Sequence, residues 1–177
     1  MTALIAFLCA AALIVFDQVA KGLVASHMAL GESVPLWENV LHFTYVQNDG
    51  AVFGSFSGMP YIFNTITVLI VLAAAYLLVR NRLPSRWLTA AVTLILAGGI
   101  GNLIDRFRLG YVIDFIDVKC FGDLWVWVFN IADCCVVCGC LILLGYYIVD
   151  WIRERRAAKA APAPSETEEG DQPHDRA

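Results

Sequence analysis

The chain is short of charge in long blocks. No Asp, Glu, Lys or Arg occurs from Ala3 to Phe16, from Gly50 to Val79 or from Trp87 to Ile104. From Leu124 to Val149 the only one is Asp133. Gaps of this length exclude an ordinary soluble domain, whose surface needs charge throughout. Residues 25–57 hold no Lys or Arg, and the 3 histidines are scattered at 27, 42 and 174. No HExxH run is present, so a zincin-type site has no support. Nor is there a glycine-rich phosphate loop or a basic stripe, which removes nucleotide chemistry and nucleic acid as expected partners. No internal repeat and no second soluble domain stand out.

What fills the gaps is oil. The 177 residues are 59% hydrophobic, with a mean hydropathy of +0.68. A bilayer-spanning helix needs roughly 20 mostly apolar residues. Four segments fit: about 3–24, 58–79, 87–106 and 125–149. The first lacks the Lys or Arg and the cleavage site of a secretory leader and is expected to be a retained helix. Arg80, Arg82 and Arg86 in the 80–86 link, and Arg153, Arg155, Arg156 and Lys159 after the last span, predict both termini in the cytoplasm. The links at 25–57 and 107–123 then face the other side, although Arg106, Arg108 and Lys119 dilute the bias there. Residues 1–156 read as one membrane domain. Residues 157–177, rich in Ala, Pro and acid, read as a disordered cytoplasmic tail.

Four of the 6 cysteines, Cys134, Cys135, Cys138 and Cys140, lie in the last apolar segment. Cysteine in an apolar helix usually serves as a small hydrophobe. With no histidine at that depth, a metal site is not expected.

Ionisable groups inside a membrane helix cost about 2.5–3.5 kcal/mol each at mid-span, so the few present require a reason. FDQVAKG sets Asp17 and Lys21 four apart on one helix face, the spacing of a structural ion pair. GGIGNLIDRFRLGYVIDFIDV carries Asn102, Asp105 and Arg106 on one face, then Asp114 and Asp117 among apolar residues in the outer link. FNIADCC carries Asn130 and Asp133, whose side chains project the same way. With the last helix starting near Trp125, Asp133 is expected about 12 Å along it, and an acid of the outer link can dip to the same depth. Two carboxyl groups close together in a low-dielectric site cannot both ionise cheaply, so they share a proton. One acid then activates water and the other polarises a carbonyl, which is amide hydrolysis with no metal, cofactor or covalent intermediate.

FDQVAKG, VQNDGAVFG, GGIGNLIDR, GYVIDFIDV and FNIADCC, in that order over most of residues 10–150, resemble the bacterial lipoprotein signal peptidases, or signal peptidase II. The resemblance implies an all-α integral membrane protein of four transmembrane helices with a small extracytoplasmic β-rich cradle at about 31–57. It implies an aspartic endopeptidase of the bacterial inner membrane that removes the signal peptide from prolipoproteins before a diacylglyceryl-modified cysteine. It selects Asp114 over Asp117, which spacing leaves open, as the catalytic partner of Asp133. It places Asn48, Asn102, Arg106 and Asn130 in contact with substrate, and makes Asp17 and Lys21 a structural polar pair. It further implies membrane lipid and globomycin-type inhibitors as partners, and a monomer. Two departures stand near the last block: Cys134 where Ser is common, and no proline ahead of Asn130.

Two rival classes fit less well. A thiol–disulfide membrane enzyme needs a reactive cysteine pair at the outer surface, where only Cys120 lies. A proton-coupled transporter relaying through Asp17, Asp105 and Asp133 needs ionisable groups spread through the membrane depth, and here they gather at the outer ends.

Overall fold

The computed structural model describes residues 3–49, 60–120 and 127–160. The element order is α1 (Ala3–His27), β1 (Ser33–Trp37), β2 (Leu41–Asn48), α2 (Pro60–Arg80), α3 (Arg86–Leu109), β3 (Val112–Val118), β4 (Val128–Phe129) and α4 (Ile131–Ala160). Three of the helices, Ala3–His27, Arg86–Leu109 and Ile131–Lys159, are long and apolar enough to cross a membrane. The apolar stretch of α2, Asn64–Arg80, is shorter. Large apolar side chains such as Leu8, Leu69 and Leu141 point outward and are exposed. In water such surface is costly; against lipid tails it is neutral.

Helix α3 is the axis of the bundle and packs against α1, α2 and α4. Its start is set by Ser85, whose side chain accepts a hydrogen bond from the Trp87 N–H. Its end is set by Gly110, with φ at 83°, a left-handed conformation that costs glycine nothing and turns the chain directly into β3. Ala6 and Ala10 of α1, Ala74 and Leu78 of α2, and Val92, Leu96 and Ala97 of α3 form the apolar core between these helices. The buried residues of α1 are Ala6, Ala10, Asp17, Lys21 and Val24. The polar pair therefore lies on the same inward face as the small residues, not toward lipid.

The strands form one antiparallel sheet in the order β1-β2-β3-β4. In β2 against β3, Val46 lies opposite Asp114 and Phe43 opposite Ile116, so β2 bulges between Phe43 and Val46, beside Asp114. Val24 at the end of α1 packs with Tyr45, Ile113 and Phe115, which fixes the sheet to the bundle.

Three expectations change here. VIDFIDV, read from sequence as part of a link, is the strand β3 and the third strand of the sheet. The last helix begins at Ile131, not near Trp125, because Val128 and Phe129 pair with β3 before the helix starts. Asp133 is therefore in the first turn of α4, not eight residues along it. Residues 157–160, expected as the start of a tail, continue α4; 161–177 lie outside the described residues, as do Trp125 and the cradle segment 50–57.

Candidate active site

The site forms where β3, the start of α4 and the inner faces of α1 and α3 converge. It is built from the chain's own end-capping chemistry. Asn130 precedes α4, and its Oδ1 accepts from the Asp133 backbone N–H at 2.9 Å. Asp133 returns the contact, its Oδ2 accepting from the Asn130 backbone N–H at 3.2 Å. This is a reciprocal capping box in which the third helical residue is Asp. It satisfies two donors at the helix start and holds Asp133 in one orientation.

The same Asn130 reaches the second acid. Its Nδ2 donates to Asp114 Oδ1 at 2.6 Å and to Asn102 Oδ1 at 3.2 Å. Asn102 Nδ2 donates to Asp133 Oδ1 at 2.6 Å. Asn48, at the end of β2, donates through Nδ2 to Asp114 Oδ2 at 2.8 Å. Each carboxyl oxygen of Asp114 and Asp133 thus accepts one of these hydrogen bonds. Each also has a further lone pair for a proton or water. Asn130 is 0% exposed and Asp114 2%.

Beneath this layer lies a charged one. The Lys21 ammonium spends its three donors on Asp17 Oδ2 at 2.9 Å, Asp105 Oδ2 at 3.0 Å and Asn102 Oδ1 at 2.9 Å. The last contact fixes which way the Asn102 amide faces. With Lys21 on the oxygen, the Asn102 amide nitrogen must face Asp133. Gln18 ties Asp105 to the Gly101 carbonyl, donating at 2.9 Å and 3.1 Å. Asp17 Oδ1 accepts from the Ala132 N–H at 2.9 Å, an anion at a helix N-terminus. Asp105 Oδ2 also accepts from the Ile113 N–H at 3.2 Å, linking this layer to β3. Gly101 makes room for the junction: a Cβ there would stand 2.8 Å from Asp17 Oδ2 and 3.1 Å from the Ala132 Cβ.

The electrostatics follow from burial. The Asp114 carboxyl is pushed up from the ordinary carboxylate range to about 6, first by burial and then by the charge of Asp133. The hydrogen bonds from Asn48 and Asn130, and the more distant Lys21 charge, pull the other way. A carboxyl poised there takes up and gives up a proton within about a unit of neutrality. Asp117 lies an odd number of residues from Asp114 and so points to the opposite face of the strand. It accepts from Thr44 Oγ1 at 2.6 Å and pairs with Lys119 at 2.8 Å.

Asp114, Asp133, Asn48, Asn102 and Asn130 are therefore brought together as a connected group. Asp17 and Lys21 lie below them in the second layer. Arg106 is also near, close enough to feel the charges of Asp133, Asp114 and Asp105. Its side chain, however, lines a cleft toward α2. Sequence reasoning missed Gln18 and the role of Asp105. Gln18 is adjacent to Asp17 and carried no spacing signal, whereas Asp105 was visible on the Asn102 face. Among the described residues, no group of three or more His, Cys, Asp or Glu side chains could hold a metal ion. Cys134 is half-buried and Cys135 buried.

The family model for signal peptidase (SPase) II matches residues 9–149. A lipoprotein signal peptidase of Halothermothrix orenii is 41% identical over 142 residues, covering 80% of this chain and 92% of its own. One from Halalkalibacterium halodurans is 36% identical over 156 residues, covering 88% and 97%. A solved structure titled as a bacterial membrane enzyme, determined by the in meso method at 2.3 Å, superposes with a TM-score of 0.75 at 32% identity. It covers 89% of this chain and 93% of its own. The apolar helices and these relatives together define a multi-pass membrane peptidase. The chain belongs to the signal peptidase II family, the lipoprotein signal peptidases.

Proposed function

We propose that this protein is an aspartic endopeptidase that cleaves diacylglyceryl-modified prolipoproteins just before the lipidated cysteine, with Asp114 and Asp133 as its catalytic pair. Family membership supports prolipoprotein signal-peptide processing. What supports the aspartic mechanism is one observation: Asn130 donates to Asp114 through its side chain and to Asp133 through its backbone. Two carboxyl groups, Asp114 buried and Asp133 partly buried, held by one residue are the arrangement that shares a proton.

The chemistry balances without a further group. The ionised acid takes a proton from water, and the resulting hydroxide attacks the scissile carbonyl. The protonated acid donates a hydrogen bond to that oxygen as it gains charge. When the tetrahedral intermediate collapses, the C–N bond breaks and the amine leaves with a proton from the pair. The pair ends the cycle with one proton, as it began. Asn48, Asn102 and Asn130 hold the acids, and Arg106 meets substrate. Lys21 is a positioning residue that acts on Asp133 through Asn102, with Asp17 and Asp105 as its counter-charges.

All four helices cross the bacterial inner membrane with both termini in the cytoplasm. Residues 1–156 act as one peptidase domain, 157–177 extend into the cytoplasm, and the sheet lies as a cradle at the outer leaflet. An outer site suits a substrate whose lipid anchor stays in the bilayer while its scissile bond reaches water. The protein works as a monomer, requires no cofactor, and is a target of globomycin-type inhibitors. The test is cleavage of a diacylglyceryl-modified prolipoprotein by purified protein in detergent, with the product identified by mass. A free amino group on the lipidated cysteine supports the reading; cleavage elsewhere, or none, contradicts it.

A further inference from the structure

Between the start of α2 and the end of α3 lies a cleft of about 460 Å³, lined by Asn64, Thr65, Val68, Arg106 and Phe107. Asn64 stands on an apolar helix, where an amide carries a cost. Its side-chain oxygen is buried and, among the described residues, has no hydrogen-bond partner. Most buried polar atoms are satisfied, so an orphan acceptor that lines a cleft calls for a donor from outside. The Arg106 side chain lines the same cleft and makes no ion pair or hydrogen bond among the described residues, its backbone carbonyl accepting from the Gly110 N–H, so the cleft also offers a charged donor.

The two groups together select a chemistry. A lipid ester or a phosphodiester group offers acceptors only, which can serve Arg106 and leaves Asn64 unsatisfied. A peptide unit offers both, an N–H for the Asn64 oxygen and a carbonyl for the guanidinium. Val68 and Phe107 give the cleft apolar wall for the neighbouring side chain. Arg106 is also within electrostatic reach of both Asp114 and Asp133, so a peptide held here lies near the scissile position.

We propose that Asn64 and Arg106 form a main-chain subsite. In it Asn64 Oδ1 accepts a hydrogen bond from one backbone N–H of the signal peptide just ahead of the cleavage point. This rests on the peptidase reading above and adds to it a specificity-determining residue. Asn64 then contributes to the choice of register, since only one N–H of an extended peptide meets it.

The experiment uses full-length protein in detergent and diacylglyceryl-modified substrate peptides N-methylated at one backbone amide at a time. N-methylation removes a single donor. At the amide that meets Asn64, kcat/KM of wild type is expected to fall about five- to tenfold, the worth of one hydrogen bond to a buried group. With Asn64→Leu, the unmethylated peptide loses the same factor, and methylation at that one position costs nothing more. Asn64→Ser, which keeps a shorter acceptor, provides a second measurement if Asn64→Leu does not fold. It is expected to show a partial dependence at the same position. If Asn64→Leu and Asn64→Ser cleave the unmethylated peptide as wild type does, the subsite is wrong. It is also wrong if methylation and substitution effects multiply independently at every position. If wild type fails to cleave even the unmethylated peptide, the peptidase reading fails first, and this inference with it.

Discussion

At the scale of single residues, the two acids of β3 separate cleanly. Asp114 is held by two asparagines beside Asp133, while Asp117 is held by Thr44 and Lys119 on the other face of the strand. Asp114→Asn is expected to abolish cleavage, and Asp117→Asn to retain it, in one assay of the purified variants. The choice between them was not readable from spacing. Both acids stand among apolar residues, and only strand parity, once the strand is known, sets them apart. The acid lifted to about 6 also makes a pH prediction. Above that pH the free enzyme's pair loses its shared proton, so kcat/KM declines on the alkaline side. Asn48→Ala removes a hydrogen bond that favours the ionised form, so Asp114 should hold its proton to higher pH. The alkaline limb of the kcat/KM profile then moves upward; an unchanged or lowered limb contradicts the assignment. Lys21 has a different signature. Lys21→Met strands Asp17 and Asp105 as buried charges without their cation, a loss of about 3–5 kcal/mol by thermal or chemical unfolding in detergent.

At the scale of elements, the start of α4 matters most. The apolar run from Leu124 hides that start, and hydropathy alone extends the helix back to Trp125. A better signal was present in the same residues: Asn130 followed three positions later by Asp133, the pattern of a capping box. The pair points to chemistry, and it is also the device that begins the helix. Asn130→Ala therefore does two things. It removes an N-cap, costing about 1 kcal/mol of stability. It also frees both acids, so the fall in kcat should far exceed what that loss of stability explains. A kcat unchanged beside a lowered melting temperature would reduce Asn130 to a cap. The strand β3 was hidden for a related reason. VIDFIDV is buried on both faces, so it lacks the apolar–polar alternation of a half-exposed strand. The helices were far easier to read, because long uncharged runs mark them whatever they pack against. Their boundaries moved by only a few residues, apart from α4, which starts later than expected, at Ile131, and runs on to Ala160.

At the scale of the whole molecule, the fold holds the acids from two directions. The sheet carries Asp114 and Asn48, and the bundle carries Asp133 and Asn102. Asn130 joins them at the point where β4 gives way to α4. Ordinary bundles bury apolar side chains at such a junction. Here Asp17, Lys21, Asp105, Asn102 and Asn130 are all buried together. Such a network is affordable only when every member is satisfied. Asn102, Asp105, Asn130 and the paired acids were visible in the sequence as polar exceptions in an apolar chain. Their joining into one network was not, since it depends on Gly101 letting α1, α3 and α4 meet.

The most direct measurement compares wild type with Asp133→Asn in cleavage of a diacylglyceryl-modified prolipoprotein by purified protein in detergent. Asn keeps the size of Asp but cannot share the pair's proton. The account predicts cleavage before the lipidated cysteine by wild type and none by the folded variant. Equal cleavage by both would contradict it and leave Asp133 as no more than the capping residue of α4.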